Sequence, residues 1–290
     1  MSISYRSSRL VRPRALLALL ATSGLLASVG GLAVAGSAQA STLPTLTLAV
    51  TKSSITVGGA TQSGAVNVVS TATGVKESTA VLFLVKPGVS VAEVESFLKT
   101  KGAAKDPNAV GKYGSIVFDA EVTSGQSSEV QTNLAPGQYF AVLPGGEGKG
   151  PTAYTPFTVS AAKSPATLPA PGATIRSIEF RFHGPTVLHD GELVRFENEG
   201  YLVHMDIVFP VKSKKSAQQA VKDLLAGKEK QLEKLIVGPP FGAGPLSSGA
   251  YQQQTITAKP GWYVQACFME TQDGRDHTRL GMERIIKIVK

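Results

Sequence analysis

Pro260-Gly261-Trp262-Tyr263-Val264-Gln265-Ala266-Cys267 reads as a turn that opens directly into a β-strand. Pro-Gly marks the turn, and the aromatic and β-branched residues after it suit a pleated, half-buried segment. The same opening recurs at Pro136-Gly137-Gln138-Tyr139. Outward from these two points, the chain falls into two stretches whose parts come in the same order. An alternating segment leads each, Leu46 to Val57 and Ile175 to Phe182. A second strand ends in a matching tetrad, Phe83-Leu84-Val85-Lys86 and Phe209-Pro210-Val211-Lys212. An amphipathic helix follows. Over 90–101 its inner face is Val91, Val94, Phe97 and Leu98, and Ser90 with Glu93 has the spacing of a capping box. Over 216–236 the inner face is Ala220, Val221, Leu224, Leu225, Leu232 and Leu235. Both stretches close on an alternating strand, Phe157-Thr158-Val159 and Ile286-Lys287-Ile288. Short strands with turns between them predict an all-β protein with helical insertions, built as two tandem sandwiches, and the shared order is a signal of internal duplication.

The stretch Lys163-Ser164-Pro165-Ala166-Thr167-Leu168-Pro169-Ala170-Pro171-Gly172 has three prolines and no apolar period, so 163–172 reads as a linker between 41–162 and 173–290. Residues 1–40 read as a secretory signal: Arg6, Arg9, Arg12 and Arg14, an apolar run from Ala15 to about Ala35, then Ala38-Gln39-Ala40 before Ser41. The length of the apolar run leaves an uncleaved anchor as the alternative. A secreted or envelope location is therefore expected, with no membrane span once the signal is gone.

The whole chain has 29 basic and 21 acidic residues. Residues 1–40 hold four of the bases and none of the acids, so 25 against 21 leaves +4 for the rest, too little to argue for nucleic acid. Lys212, Lys214, Lys215, Lys222, Lys228, Lys230 and Lys234 interleave with Asp223, Glu229 and Glu233. That pattern fits a solvated helix face, with docking of an acidic partner as the sharper alternative.

Cys267 is the only cysteine. Outside the cell it cannot close an internal disulfide, so it is buried and inert, paired with another chain, or a ligand. Residues 41–172 contain no His, Cys or Met; His183, His189, His204 and His277 and every methionine after residue 40 lie beyond them. Only the second stretch can offer a soft-metal site. His183 and His189 flank a Gly-Pro turn and read as surface residues. Gly238-Pro239-Pro240-Phe241-Gly242-Ala243-Gly244-Pro245 reads as a stiff loop able to rim such a site.

Three motifs in the second stretch resemble those of the plastocyanin-type cupredoxins. Phe196-Glu197-Asn198-Glu199-Gly200-Tyr201-Leu202-Val203-His204 matches the family's Phe-x-Asn-x5-His. Pro260 to Cys267 is similar to its Pro-Gly-x-Tyr-x3-Cys, and His277-Thr278-Arg279-Leu280-Gly281-Met282 to its His-x3-Gly-Met. The resemblance covers most of 175–290. It implies two tandem Greek-key sandwiches, the first a degenerate copy without ligands. It also implies one copper ion held by His204 and His277 as imidazoles, Cys267 as thiolate and Met282 as weak axial thioether, the donor set of a blue-copper site. Phe268, Leu280 and Trp262 are candidates for the apolar shell. The implied role is electron transfer or copper holding, without catalysis, beside a redox partner or an envelope component. The competing reading is a metal-free secreted binding or structural module. A cysteine hydrolase on Cys267 and His277 lacks an orienting Asn or Asp and a nucleophile turn.

One departure bears on the site. Nine residues separate Cys267 from His277, where the family has two to four, and Asp273-Gly274 is a hairpin signal. A regular hairpin about that pair would set Glu270 opposite His277 and leave His277 roughly 10 Å along the ribbon from Cys267 at ~3.3 Å per residue, breaking the site. A wide loop would preserve it.

Overall fold

The computed structural model describes residues 43–100, 106–145 and 149–290. The signal expected over 1–40 lies outside the described residues. The first stretch holds strands β1 (Thr45–Val50), β2 (Ile55–Gly59), β3 (Gly64–Ala72), β4 (Glu77–Val85), β5 (Gly114–Thr123), β6 (Ser127–Leu134), β7 (Gly137–Leu143) and β8 (Ala153–Val159), with helix α1 (Val91–Lys99) after β4. The second holds β9 (Ala173–Ile178), β10 (Arg181–His183), β11 (Val187–His189), β12 (Leu193–Asn198), β13 (His204–Val211), β14 (Phe241–Leu246), β15 (Tyr251–Thr255), β16 (Gly261–Ala266) and β17 (Glu283–Val289). Helices α2 (Lys214–Leu225) and α3 (Glu229–Glu233) follow β13. Each leading alternating segment is a hairpin, β1–β2 and β9–β10.

The strands form an all-β architecture of stacked sheets. β5-β4-β7-β8 faces β6-β3-β1-β2 across a core that includes Leu46, Leu48, Val68, Leu82, Phe118 and Tyr139. In the same order, β14-β13-β16-β17, with β11 added at the edge, faces β15-β12-β9-β10. Both stretches share a parallel pair as well, β1 with β3 and β9 with β12. The two turn-to-strand openings have a common cause. Tyr139 Oη donates to Ala135 O at 2.9 Å and Tyr263 Oη to Lys259 O at 2.8 Å. Each Tyr thus reaches back over its own Pro-Gly turn and pins it, satisfying a hydroxyl that burial would otherwise strand.

The two stretches are joined by more than chain. β6 and β15 pair antiparallel, Thr132 with Gln252 and Gln131 with Gln253, making one eight-stranded sheet. Gln252 exchanges two hydrogen bonds with the Asp119 backbone, and Gln253 donates to Gln131 Oε1 and to Pro169 O. Residues 163–172 form no helix or strand, and Ala166 O accepts from Ala65 N at 2.9 Å.

α1 starts on the capping box: Ser90 Oγ accepts from Glu93 N, and Glu93 Oε2 accepts from Ser90 N. The helix expected over 216–236 is two. Ser213 caps α2 through Ser216 N, three residues before the predicted start. Gly227 ends the run at φ +64°, where Gly227 N donates to Leu224 O and Lys228 N to Asp223 O. That left-handed closure satisfies the last carbonyls and turns the chain. α2 packs Ala217, Ala220 and Leu224 on Phe209, Val211 and Val264 of the five-stranded sheet.

Candidate metal centre

His204 is the first residue of β13, Cys267 the first after β16, and Met282 the last before β17. Because β13, β16 and β17 are neighbours in register (Ile207 with Ala266, Ala266 with Glu283), three remote positions meet at one end of a sheet. Cys267 N donates to Met282 O at 3.1 Å, and Met282 N to His277 O at 3.0 Å, so one backbone chain ties three of the four.

The loop expected to decide the matter takes a mixed form. A small hairpin does bud from it: Glu270 bridges Asp276, Gly274 takes φ +78°, and Thr271 N donates to Arg275 O. Glu270 therefore faces Asp276, one residue short of the regular register. The ribbon then stops. A 3-10 turn over His277–Leu280 begins at once and closes on Gly281 in the left-handed region. The extra residues project outward, and His277 returns to Cys267. Arg279 pairs with Asp276 at 3.0 Å and lies so close to Gly227 that a Cβ there would meet its guanidinium. The glycine that ends α2 thus lies beside the His277 turn.

His204 Nδ1 and His277 Nδ1 stand 3.2 Å apart; Cys267 Sγ lies 3.3 Å from His277 Nδ1 and 3.8 Å from His204 Nδ1. His204 is 1% exposed, and Cys267 and His277 are 0%. With metal bonds of ~2.0 Å to nitrogen and ~2.3 Å to sulfur, a near-trigonal plane puts the donors about 3.5 Å apart. The separations fit. Two imidazole nitrogens and a thiol, all facing one point, form the soft set that copper takes. Burial pushes the Cys267 thiol up to about 12, against donation from Met205 N to Sγ at 3.4 Å. Burial likewise lowers His277 to about 3, with the neighbouring His204 adding to it, and His204 to about 4 against the pull of Glu179. Both imidazoles are thus neutral and ready to ligate, and the thiol is the one donor that must lose a proton.

Asn198 builds the loop that delivers His204. Its side chain donates to Leu202 O and Leu246 O and accepts from Gly200 N. Gly200 lies against the His204 ring: a Cβ there would stand 2.8 Å from Nε2 and 2.7 Å from Glu179 Oε1. The first stretch braces the same loop, where Asn108 Oδ1 accepts from Val203 N at 2.8 Å.

Two sequence expectations shift. Trp262 stands at the far end of β16 opposite Val211, under Lys214 and Lys287, and takes no part in the shell. Phe268 is partly buried against the apolar cluster that includes Cys267 and Met282, and lies tilted beside Phe209. The ring that touches an imidazole is Phe180, edge-on to His277 at 5.2 Å between centroids. No sequence cue marked it, because the contact comes through a turn far from the ligand motifs. Pro239, Pro240 and Phe241 line a cleft of about 320 Å³ with Asp119, Glu121 and Met205, so that loop rims the join between the stretches. His183 and His189 are exposed. At the Cys267 position of β16, the matching strand β7 ends on buried Leu143, which pairs with Ala153.

No family model matches the chain, and no curated protein sequence does. Solved structures do. Auracyanin from Roseiflexus castenholzii is 18% identical, over 40% of this chain and 95% of that one, at a TM-score of 0.27. Auracyanin A from Chloroflexus aurantiacus, a blue copper protein, is 18% identical over 40% and 96%, at 0.24. The copper-containing nitrite reductase of Thermus scotoductus is 14% identical over 85% and 67%, at 0.25. In this chain, sheet order, the tyrosine-backed turn and the buried His-Cys-His cluster at one strand end together define a cupredoxin-like sandwich over β9–β17.

Proposed function

We propose that this is a secreted protein that holds one copper ion in the sandwich of residues 173–290, with His204, His277 and Cys267 as ligands and Met282 as the weak axial fourth. One observation carries the reading: three donors from separate elements lie within 4.8 Å of one another, all buried. Bound there, copper supplies one-electron chemistry between two oxidation states. The protein's part is to fix the imidazoles neutral, keep the thiol dry and hold the Met282 backbone to both neighbours. Such a sealed centre suits a carrier or store better than a catalyst, which keeps a coordination position open to substrate. Residues 41–162 act as a ligand-free copy, joined through 163–172, that braces the metal loop through Asn108. Leu143 at the cysteine position and the shared strand order support that history.

The test is a visible spectrum of residues 41–290 after Cu(II) addition and desalting, with Cys267→Ser as control. An intense thiolate-to-copper band absent from the variant is expected. Retained copper without the band would mean another ligand set. No retained copper would leave a metal-free secreted module.

A further inference from the structure

A single two-residue turn touches both imidazoles. β9 pairs with β10 with Ile178 opposite Arg181, so Glu179 and Phe180 are the entire connection. Phe180 takes φ +60°, the one non-glycine residue with positive φ among the described residues. Left-handed backbone costs a side-chain-bearing residue roughly 1–2 kcal/mol, and such a turn position ordinarily carries Gly or Asn. Strain of this kind persists where surroundings fix it, commonly at a site that uses it.

What the strain accompanies is contact with the metal cluster. The Phe180 ring meets His277 edge-on, at 76° between planes. The neighbouring Glu179 faces the other imidazole. Its Oε1 accepts from Leu202 N at 3.0 Å and from Tyr201 N, and lies 3.7 Å from His204 Nε2. That last distance is a polar contact to a neutral imidazole, longer than a hydrogen bond. Nδ1 of each ring is turned to Cys267, so Nε2 holds the proton whenever Nδ1 ligates, and both Nε2 atoms are buried without a hydrogen-bond partner. A ligating histidine ordinarily gives that proton to a carboxylate or carbonyl, which fixes the ring. For His204, Glu179 is the carboxylate in place. For His277, the aromatic neighbour is the Phe180 ring, packed at a steep angle against the imidazole.

We infer that Glu179 and Phe180 form a cap specific to this centre: Glu179 positions the His204 ring from its Nε2 edge, and Phe180 closes the path from solvent to His277 and Cys267. Neither residue offers a ligand atom; both act through the imidazoles. Copper then enters and leaves when the turn lifts, and left-handed Phe180 sets how readily it lifts. The cap deepens the copper reading and rests on it in part, but the shielding of Cys267 can be read without any metal.

The experiment uses the chain from Ser41 with Phe180→Gly, Glu179→Ala and Glu179→Gln. In metal-free protein the readout is the rate at which Cys267 reacts with an aromatic disulfide reagent. In copper-loaded protein it is the rate of copper loss to a chelator and the position of the visible band. Phe180→Gly is expected to fold, since relief of the left-handed backbone offsets part of the packing lost with the ring, while both rates rise about tenfold or more. Glu179→Ala is expected to speed copper loss by about 10- to 100-fold and shift the band. Glu179→Gln is expected to restore most of it, because its amide oxygen still accepts from Tyr201 and Leu202. Rates within twofold of the parent in folded Phe180→Gly, or an unmoved band and loss rate in Glu179→Ala, would overturn the cap. If the parent chain holds no copper, the ligand assignment fails, and the thiol rates alone decide whether the turn seals the cluster.

Discussion

Copper affinity is expected to fall about tenfold for each pH unit between pH 8 and pH 5, close to a thousandfold in all, and more steeply below about pH 4. Protons and metal compete for the same lone pairs, so affinity follows the number of protons the metal must displace. Burial places the Cys267 thiol at about 12, so that proton is present across the whole range and one leaves with each copper bound. Burial holds His277 at about 3 and His204 at about 4, so neither imidazole carries a competing proton until the medium reaches those values. A solvent-open site would behave differently, since ordinary imidazoles near 6.5 would bring a second and third proton into play at mild acidity. Competition against a chelator of known affinity at several pH values gives the slope, and a pH-stat gives the protons directly. Two or three protons released at pH 6 would mean that the metal-free cluster is open to water, contrary to the packing seen.

Replacing Arg284 is expected to destabilise the fold by about 1–3 kcal/mol at pH 8, and by less at pH 5. The guanidinium donates through Nε to Gln265 Oε1 and through Nη1 to Phe182 O and Gly184 O. Gln265 in turn donates to Asp206 Oδ1 at 2.6 Å. Asp206 and Gln265 are fully enclosed, so Arg284→Leu strands an amide oxygen and removes the one cation that reaches the carboxylate. Burial pushes Asp206 up to about 7; the hydrogen bond from Gln265 and the charge of Arg284 pull it back only in part, because the guanidinium acts through the glutamine. The sign follows from that position. With its folded value above its ordinary one, Asp206 binds its proton in the folded state as pH falls through 7, and a neutral carboxyl no longer needs the cation. Urea unfolding of parent and variant at both pH values reads the difference. An equal cost at pH 5 and pH 8 would show that the charge on Asp206 plays no part.

Much of this was legible from local chemistry. Ser90 with Glu93 announced a helix start because the cap bonds span only three residues. The Pro-Gly-x-Tyr pairs announced their strands because each Tyr bonds back four residues along the same turn. Asn198 could be picked out for the same reason, since its partners Gly200 and Leu202 are its own neighbours. Spacing between Cys267 and His277 left a regular ribbon and a wide loop equally open. Asp273-Gly274 does turn, but the ribbon then gives way to a 3-10 turn at His277 whose Arg279 lies against Gly227, a contact between distant parts. The same glycine split the helix predicted over 216–236: a break that a periodic apolar face conceals. Phe180 was out of reach, because nothing about a phenylalanine between Glu179 and Arg181 states a backbone angle or an imidazole beneath the ring.

The seam between β6 and β15 bears on how the chain behaves among other copies of itself. A strand left at the rim of a sheet offers unpaired amides and carbonyls to any extended segment that drifts past, and rows of glutamine suit such growth well. Tyr251-Gln252-Gln253-Gln254-Thr255 has that character on one side, and β6 has it on the other. Residues 173–290 produced alone are expected to self-associate at micromolar concentration while the full chain stays dispersed, which light scattering would report; a monodisperse fragment would speak against it. Paired with each other, β6 and β15 are both withheld from strangers, and a stretch that carries no His, Cys or Met still has a part to play in keeping its neighbour from fibre growth.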